Sequence, residues 1–173
     1  MYLDEAIKKR QAVREYLEKD VPEDAIKKIL ELANLSPSAG NLQARRVVIV
    51  KDPALRENLK ATCSGLGRFS IAPPVILAIC SVPEESAIKY ADRGRNLYAL
   101  QDATIFAAYV QLTAVSLGLA SCWVGSFNEK EVSEILQLPE GIIPVALIPV
   151  GFTEEAPREK SRKTLEEIII KEI

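Results

Sequence analysis

The chain has 173 residues and no histidine. That absence excludes Ser-His-Asp and Cys-His catalysis, histidine metal ligation and the usual proton shuttle near neutral pH. Cysteine is scarce as well. Cys63, Cys80 and Cys122 are odd in number and lack CxxC spacing, so no disulfide framework and no zinc or iron–sulfur motif is indicated. Cys80 lies in an apolar run and reads as core, while Cys122 has no basic sequence neighbour to lower its pKa and reads as structural. A dominant charge is also missing: 22 Lys and Arg stand against 24 Asp and Glu, a net of −2. No global pull towards nucleic acid or an anionic membrane follows. The opening residues, MYLDEAIKKR, carry charges throughout and no apolar signal core, so a cytoplasmic location is expected.

The residues present suggest one domain over 1–173, long enough to bury a core, with no repeat or interdomain linker. Leu3, Ala6 and Ile7 have helical spacing and lead into the basic stretch Lys8 to Arg14. A second helix opens at Val21-Pro22-Glu23-Asp24, where Pro suits the first turn and acids suit the N-terminal dipole. Ile26, Ile29, Leu30 and Ala33 form its apolar face. Arg46 to Val50 is β-branched and reads as a central strand, followed by a helix from Pro53 to Cys63. Gly65-Leu66-Gly67 lacks the third glycine of a dinucleotide fingerprint and reads as a turn. Val75 to Cys80 is a second strand, and Glu84 to Lys89 begins a helix or a lid.

The longest apolar signal, Asn96 to Leu117, predicts a buried central helix with Asp102 as its cap. A membrane span is the competing reading of Ala103 to Ala120, but Thr104, Gln111, Thr113 and Ser116 interrupt it and basic flanks are lacking. Ala120 to Phe127 is a strand running into a Gly-Ser turn, Glu129 to Leu136 a short helix, and Ile142 to Val150 a strand whose Pro144 and Pro149 suit a start and an edge or bulge. The tail from Thr153 is polar but ends in Ile168-Ile169-Ile170, which should dock on the same subunit or on a partner. The fold class expected is α+β, with four to five mostly antiparallel strands packed by helices.

Between the second helix and the first strand lies Ser36-Pro37-Ser38-Ala39-Gly40-Asn41-Leu42-Gln43. Pro37 bars helix continuation, Gly40 and Asn41 tolerate positive φ, and Ser38, Asn41 and Gln43 offer hydrogen bonds in several directions. Such a loop can cradle a polar planar ligand or serve as an ordinary turn. Arg10 and Arg14 likewise suit either an anion or a solvated helix face.

Taken together, KRQAVREY (Lys9 to Tyr16), SPSAGNLQ (Ser36 to Gln43), the run from Tyr98 to Phe127 and EKSRKTLEE (Glu159 to Glu167) resemble the nitroreductase-like family of FMN-dependent oxidoreductases, in order and over nearly the whole chain. The resemblance implies a homodimer with exchanged C-terminal tails and FMN as cofactor. Arg10, Gln11, Ala12 and Arg14 match the loop that holds the FMN phosphate and ribityl chain, and Lys160 and Arg162 match a second basic pair in the tail. Pro37, Ser38, Ala39, Asn41 and Gln43 match the loop that reaches the FMN of the other subunit. Val124, Gly125 and Ser126 match the turn whose backbone approaches the flavin ring.

Two departures stand out: Ala44-Arg45-Arg46 follows Gln43 where many members have Pro and an aromatic, and Ala12 replaces a common serine. Arg45 reads as exposed. Trp123 reads as packing, and Arg93 and Arg95 as surface charges or a substrate clamp. The implied activity is ping-pong electron transfer from NADH or NADPH to a small-molecule electron acceptor such as a nitroaromatic or quinone, with the flavin carrying the chemistry. The same fold with another FMN reaction, or a non-catalytic flavin-binding redox sensor, stays open.

Overall fold

A computed structural model describes all residues, Met1–Ile173. Four strands form one antiparallel sheet in the order β1 (Arg45–Val50), β2 (Val75–Ser81), β4 (Ile143–Gly151), β3 (Ala120–Ser121). In β2, Val75, Leu77 and Ile79 face one side and Ile76 and Ala78 the other, as the two-residue strand period requires. On the first side the odd set packs with Ile148 and Val150 of β4 against Ile26, Ile29 and Ala33 of helix α2 (Glu23–Ala33) and against Ala103, Phe106, Val110 and Ala114 of α5 (Ala99–Ser116). On the second, the even set and Leu147 meet Leu59 of α3 (Pro53–Thr62), Val132 of α6 (Glu129–Ile135), Leu66 and Phe69. Helices cover both faces, which is why β2 is continuously apolar instead of alternating. Each of these buried aliphatic side chains contributes about 1.5–3 kcal/mol relative to exposure.

Two strand expectations are corrected. β1 is an edge strand: it pairs with β2 alone, and Ile49 is exposed. β-branching reports half-buried pleat and does not distinguish edge from centre. Conversely, proline-bearing β4 is internal, between β2 and β3. Pro144 sits beside a bulge opposite Ile79 and Cys80, as proline in a sheet allows. Pro149 lacks a donor, yet its carbonyl accepts from Cys122 N–H (3.3 Å) and the Tyr16 hydroxyl (3.3 Å).

Helix α1 (Leu3–Lys9) leads the chain, and α4 (Pro83–Arg93) runs through π-helical turns at Gly94–Tyr98 into α5. Helix α5 is the long central helix, although Leu100 and Tyr109 along it and Leu117 at its C-cap remain exposed. No helix is long and apolar enough to cross a membrane. Beyond β4 the tail is extended until the single turn α7 (Leu165–Ile168), capped by Thr164, whose Oγ1 accepts from Glu167 N–H. Leu165, Ile168, Ile169, Ile170 and Ile173 are all exposed.

Candidate functional site

After α1 the chain runs extended alongside β3. Ala12 bridges Ser121 in parallel sense, and Val13 N–H donates to the Ser121 carbonyl (3.2 Å). Val13 is buried in the core, so the alternation of an extended chain places Arg10, Ala12 and Arg14 on the opposite face. The apolar Val13 between two arginines thereby fixes which way both point.

The tail returns across this segment. Gln11 donates from Nε2 to the Ala156 carbonyl (3.1 Å), and its Oε1 accepts from Arg158 N–H (2.8 Å). The Lys160 ammonium donates to the carbonyls of Lys8 (2.9 Å) and Arg10, at the C-terminal end of α1 where a cation is favoured. Together these bonds enclose a groove of 300 Å³ lined by Arg10, Arg14, Arg158, Lys160 and Arg162, with Glu159 the one acid on its wall. Arg158 is paired with Glu155 (2.9 Å). Burial lowers the Lys160 pKa, and the charges of Arg10 and Arg162 lower it further. Lys160 is thus repelled by two neighbouring cations, a surplus of positive charge that suits an anion.

A second, narrower cleft of 90 Å³ shares Arg14 with the groove and continues along Cys122, Trp123, Val124, Gly125 and Ser126. Val124 exchanges backbone bonds with Leu147 (3.0 and 2.9 Å), which anchors this wall to β4. Opposite it, Gly65 N–H donates to the Ser126 carbonyl (2.8 Å), and the Ser64 and Ser126 hydroxyls lie 2.8 Å apart. A Cβ at Gly65 would stand 2.5 Å from Val124 Cγ1, so only glycine permits this approach. Burial raises the Cys122 thiol pKa although Arg14 and Arg10 oppose it, consistent with a packing role. Trp123, by contrast, is 38% exposed on the cleft wall and not in the core.

Loop 36–43 lines neither cleft of its own chain. It is nevertheless closely held: Ser38 Oγ accepts from Gln43 N–H (3.0 Å), and Asp102 Oδ1 accepts from Ala39 N–H (2.9 Å). Gly40, Asn41 and Gln43 all have positive φ (57°, 58° and 54°). Two expectations are corrected here. Asp102 does not cap its helix but reaches across to the loop, and Arg45 is buried, its Nη2 donating to the carbonyls of Asn34 (3.1 Å) and Ser36 (3.2 Å). Two carbonyls, at Asn34 and Ser36, await one guanidinium nitrogen there, which a one-residue reading of the sequence does not show.

A family model described as the nitroreductase family matches residues 7–78 and 66–152. The chain belongs to the nitroreductase family. An NADH dehydrogenase of Thermus thermophilus is 28% identical over 190 residues, covering 94% of this chain and 92% of the relative. A nitroreductase family protein of Streptococcus pneumoniae has the same fold, with a TM-score of 0.89 at 23% identity over 99% of this chain and 100% of that one. Another, from Clostridium difficile, has a TM-score of 0.85 at 26% identity over 100% and 99%.

On this nitroreductase scaffold Arg10, Gln11, Ala12, Arg14, Lys160 and Arg162 come together at one groove, and Val124, Gly125 and Ser126 join it through Arg14. Pro37, Ser38, Ala39, Asn41 and Gln43 lie apart from both. Arg158, Gly65 and Arg68 were not anticipated, although they complete the walls. Arg158 adjoins the tail motif and could have been found there, whereas Arg68 sits in a turn of no recognisable pattern. Arg95 pairs with Glu84 (2.7 Å) and Asp92 (2.8 Å) and lines a further cleft of 400 Å³ that reaches Gly125, while Arg93 donates to the Tyr98 hydroxyl (2.8 Å).

Proposed function

We propose that this nitroreductase-family chain is a cytoplasmic, homodimeric, FMN-dependent oxidoreductase that takes electrons from NADH or NADPH. The observation that carries the reading is the pair of clefts meeting at Arg14, strongly cationic at one end and lined by the 122–126 segment and Gly65 at the other. The donor set fits the cofactor. A dianionic phosphate needs charge-assisted donors, which Arg10, Arg158, Lys160 and Arg162 offer, with Arg14 between phosphate and ring. A flat ring system needs a surface that backbone can approach closely, and Gly65, Gly125 and Ser126 offer one between Trp123 and Arg68, in a cleft whose 90 Å³ would take one edge of the ring.

When bound, FMN would supply the redox chemistry, accepting two electrons from the nicotinamide and passing them to an acceptor such as a nitroaromatic or quinone. The chain's own residues bind and orient. Arg14 and Arg68 hold two guanidinium charges at the narrow end, where they stabilise negative charge, and the backbone of Gly125 and Ser126 approaches as donor. No side chain has to titrate near neutral pH, so the lack of histidine is no obstacle.

A second subunit is supported by what one chain leaves uncovered. Leu100 and Tyr109 of α5, Leu117 at its C-cap and the isoleucines from Ile168 onward are exposed, and loop 36–43 lines neither of the two clefts of its own chain. Because Gln11 and Lys160 hold the tail through Lys160 at home, an exchange of tails would involve the residues after it.

A visible spectrum of the purified protein, followed by anaerobic addition of NADH or NADPH, tests the reading. Yellow protein that bleaches supports it; tightly held flavin that does not bleach gives the redox-sensor alternative; failure to bind FMN refutes it. Arg14→Ala removes one charge-assisted contact, a loss of about 1.5–3 kcal/mol, so FMN should bind roughly 10- to 150-fold more weakly.

A further inference from the structure

Under the loop 36–43 lie two charges that the proposed chemistry does not use. Asp102, 2% exposed, rises from the first turn of α5, and Arg45, 6% exposed, opens β1. The carboxylate holds the Ala39 amide in the middle of the loop, and the guanidinium holds the Asn34 and Ser36 carbonyls at its entry. Burial lowers the Arg45 pKa and Asp102 acts in the opposite direction, so the two charges sense one another. Arg45 also lies over the Phe106 ring, 5.1 Å from its centroid. Arg45 Nε and Nη1, Asp102 Oδ2 and Ser36 Oγ have no hydrogen-bond partner in the chain.

We infer that Asp102 and Arg45 are positioning residues, which lock loop 36–43 in the shape that presents Asn41 to the flavin site of the partner subunit. The inference rests on the assignment of that loop to the partner's FMN. Three observations carry it. First, buried charge is expensive, and apolar residues of similar volume would fill the space at lower cost; they would not, however, hold three backbone groups in place. Second, Gly40 and Asn41 tolerate the left-handed region they occupy, but Gln43 occupies it too (φ 54°), and such a conformation of an ordinary side chain persists only where the surroundings over-determine it. Local bonds contribute: Gln43 Nε2 donates to the Asn41 carbonyl (3.1 Å) and Arg45 N–H to the Gln43 carbonyl (2.6 Å). Third, the Asn41 side chain is exposed and makes no hydrogen bond within the chain, so the strained backbone presents a free amide outwards.

The arrangement also ties the loop to α5, the helix whose outer side is uncovered. A shift of α5 on meeting a partner would reach Ala39 through one carboxylate.

The test compares Asp102→Ala, Asp102→Asn, Arg45→Lys and Asn41→Ala by FMN affinity, by amide exchange over residues 37–43 and by urea midpoint. Asp102→Asn keeps an acceptor oxygen for Ala39 but leaves Arg45 without its counter-charge. It should lose stability while loop exchange and FMN affinity stay near the wild-type values. Asp102→Ala should lose stability too, and in addition speed exchange of Ala39 and weaken FMN, each about tenfold. Arg45→Lys keeps the charge but removes the Nη2 that donates to both carbonyls, and it should loosen the loop in the same sense; it also keeps the test decisive if Asp102→Ala does not fold. FMN affinity that merely follows the urea midpoint across the series, or loop exchange unchanged in both Asp102→Ala and Arg45→Lys, would overturn the inference. If Asn41→Ala weakens FMN while Asp102→Ala and Arg45→Lys do not, the inference fails alone. If Asn41→Ala leaves FMN binding intact, the loop assignment fails and takes the inference with it.

Discussion

Gln11→Ala separates the docking of the tail from the chemistry of the groove. Gln11 makes two bonds to tail backbone, 3.1 Å to the Ala156 carbonyl and 2.8 Å from Arg158 N–H. A net contribution of about 0.5–1.5 kcal/mol per bond, taken towards the lower end because the site is partly exposed, gives roughly 1–2 kcal/mol. The balance between docked and free tail should therefore shift roughly 5- to 30-fold. Lys160 still grips the carbonyls of Lys8 and Arg10, so the tail is loosened and not lost. Because Arg158, Lys160 and Arg162 reach the groove only from a docked tail, FMN affinity should fall in step with the docked fraction, with the full shift in the docking balance as its upper bound. Core packing is untouched, so the thermal midpoint should barely move. Titration with FMN, together with amide exchange over residues 155–160, reads both effects. Gln11→Glu is the informative companion: it retains the acceptor for Arg158 N–H but sets a carboxylate against the Ala156 carbonyl and inside a cationic groove, so it should bind FMN more weakly than Gln11→Ala. Unchanged tail protection with unchanged affinity would refute the argument, as would a melting loss comparable to that of a core truncation.

Other consequences can be measured separately. Gly65→Ala places a methyl group 2.5 Å from Val124 Cγ1 and 3.1 Å from the Ser126 carbonyl. Displacing that wall should cost about 1–3 kcal/mol in a urea titration and close the narrow cleft to FMN; an unaltered midpoint would show that the wall yields freely. Burial pushes the Cys63 and Cys80 thiols up to about 11. A raised thiol pKa means that the folded state holds these protons more tightly than the unfolded state. Their contribution is complete below the ordinary value near 9 and is lost as pH rises from 9 through 11, so stability should fall across that window. Neither thiol should react with an alkylating agent at pH 8 until urea is added, and rapid labelling of native protein would contradict their burial. Truncation after Glu154 removes Arg158, Lys160, Arg162 and every exposed tail isoleucine. It should abolish FMN binding and any dimer seen by sedimentation, and a flavin-loaded dimer would eliminate the tail's role.

Much of the fold was legible because local chemistry decided it. Pro53 at the start of α3 and the apolar face of α2 act within one or two turns of chain, and the structure retains them where the pattern placed them. Strand order was not legible, since β1 and β4 differ in neighbours and not in the residue types that make them strands. The basic loop and the tail motif could be singled out by resemblance. Their meeting depends on Gln11 and Lys160 bonding to backbone carbonyls and amides, which carry no side-chain signature.

Arg45 and Asp102 show the limit most clearly. In a chain read one residue at a time, a charged side chain belongs in water, because the desolvation cost is certain and the compensating partners are unknown. The absence of histidine, the family resemblance and the sites of the motifs were determined by the sequence alone, since they depend on residue identity and order. Only the tertiary structure decided that Arg14 joins two clefts, that Arg68 and Gly65 complete one of them, and that two buried charges hold a strained loop. Those facts rest on distances between residues far apart in the chain, and packing sets such distances.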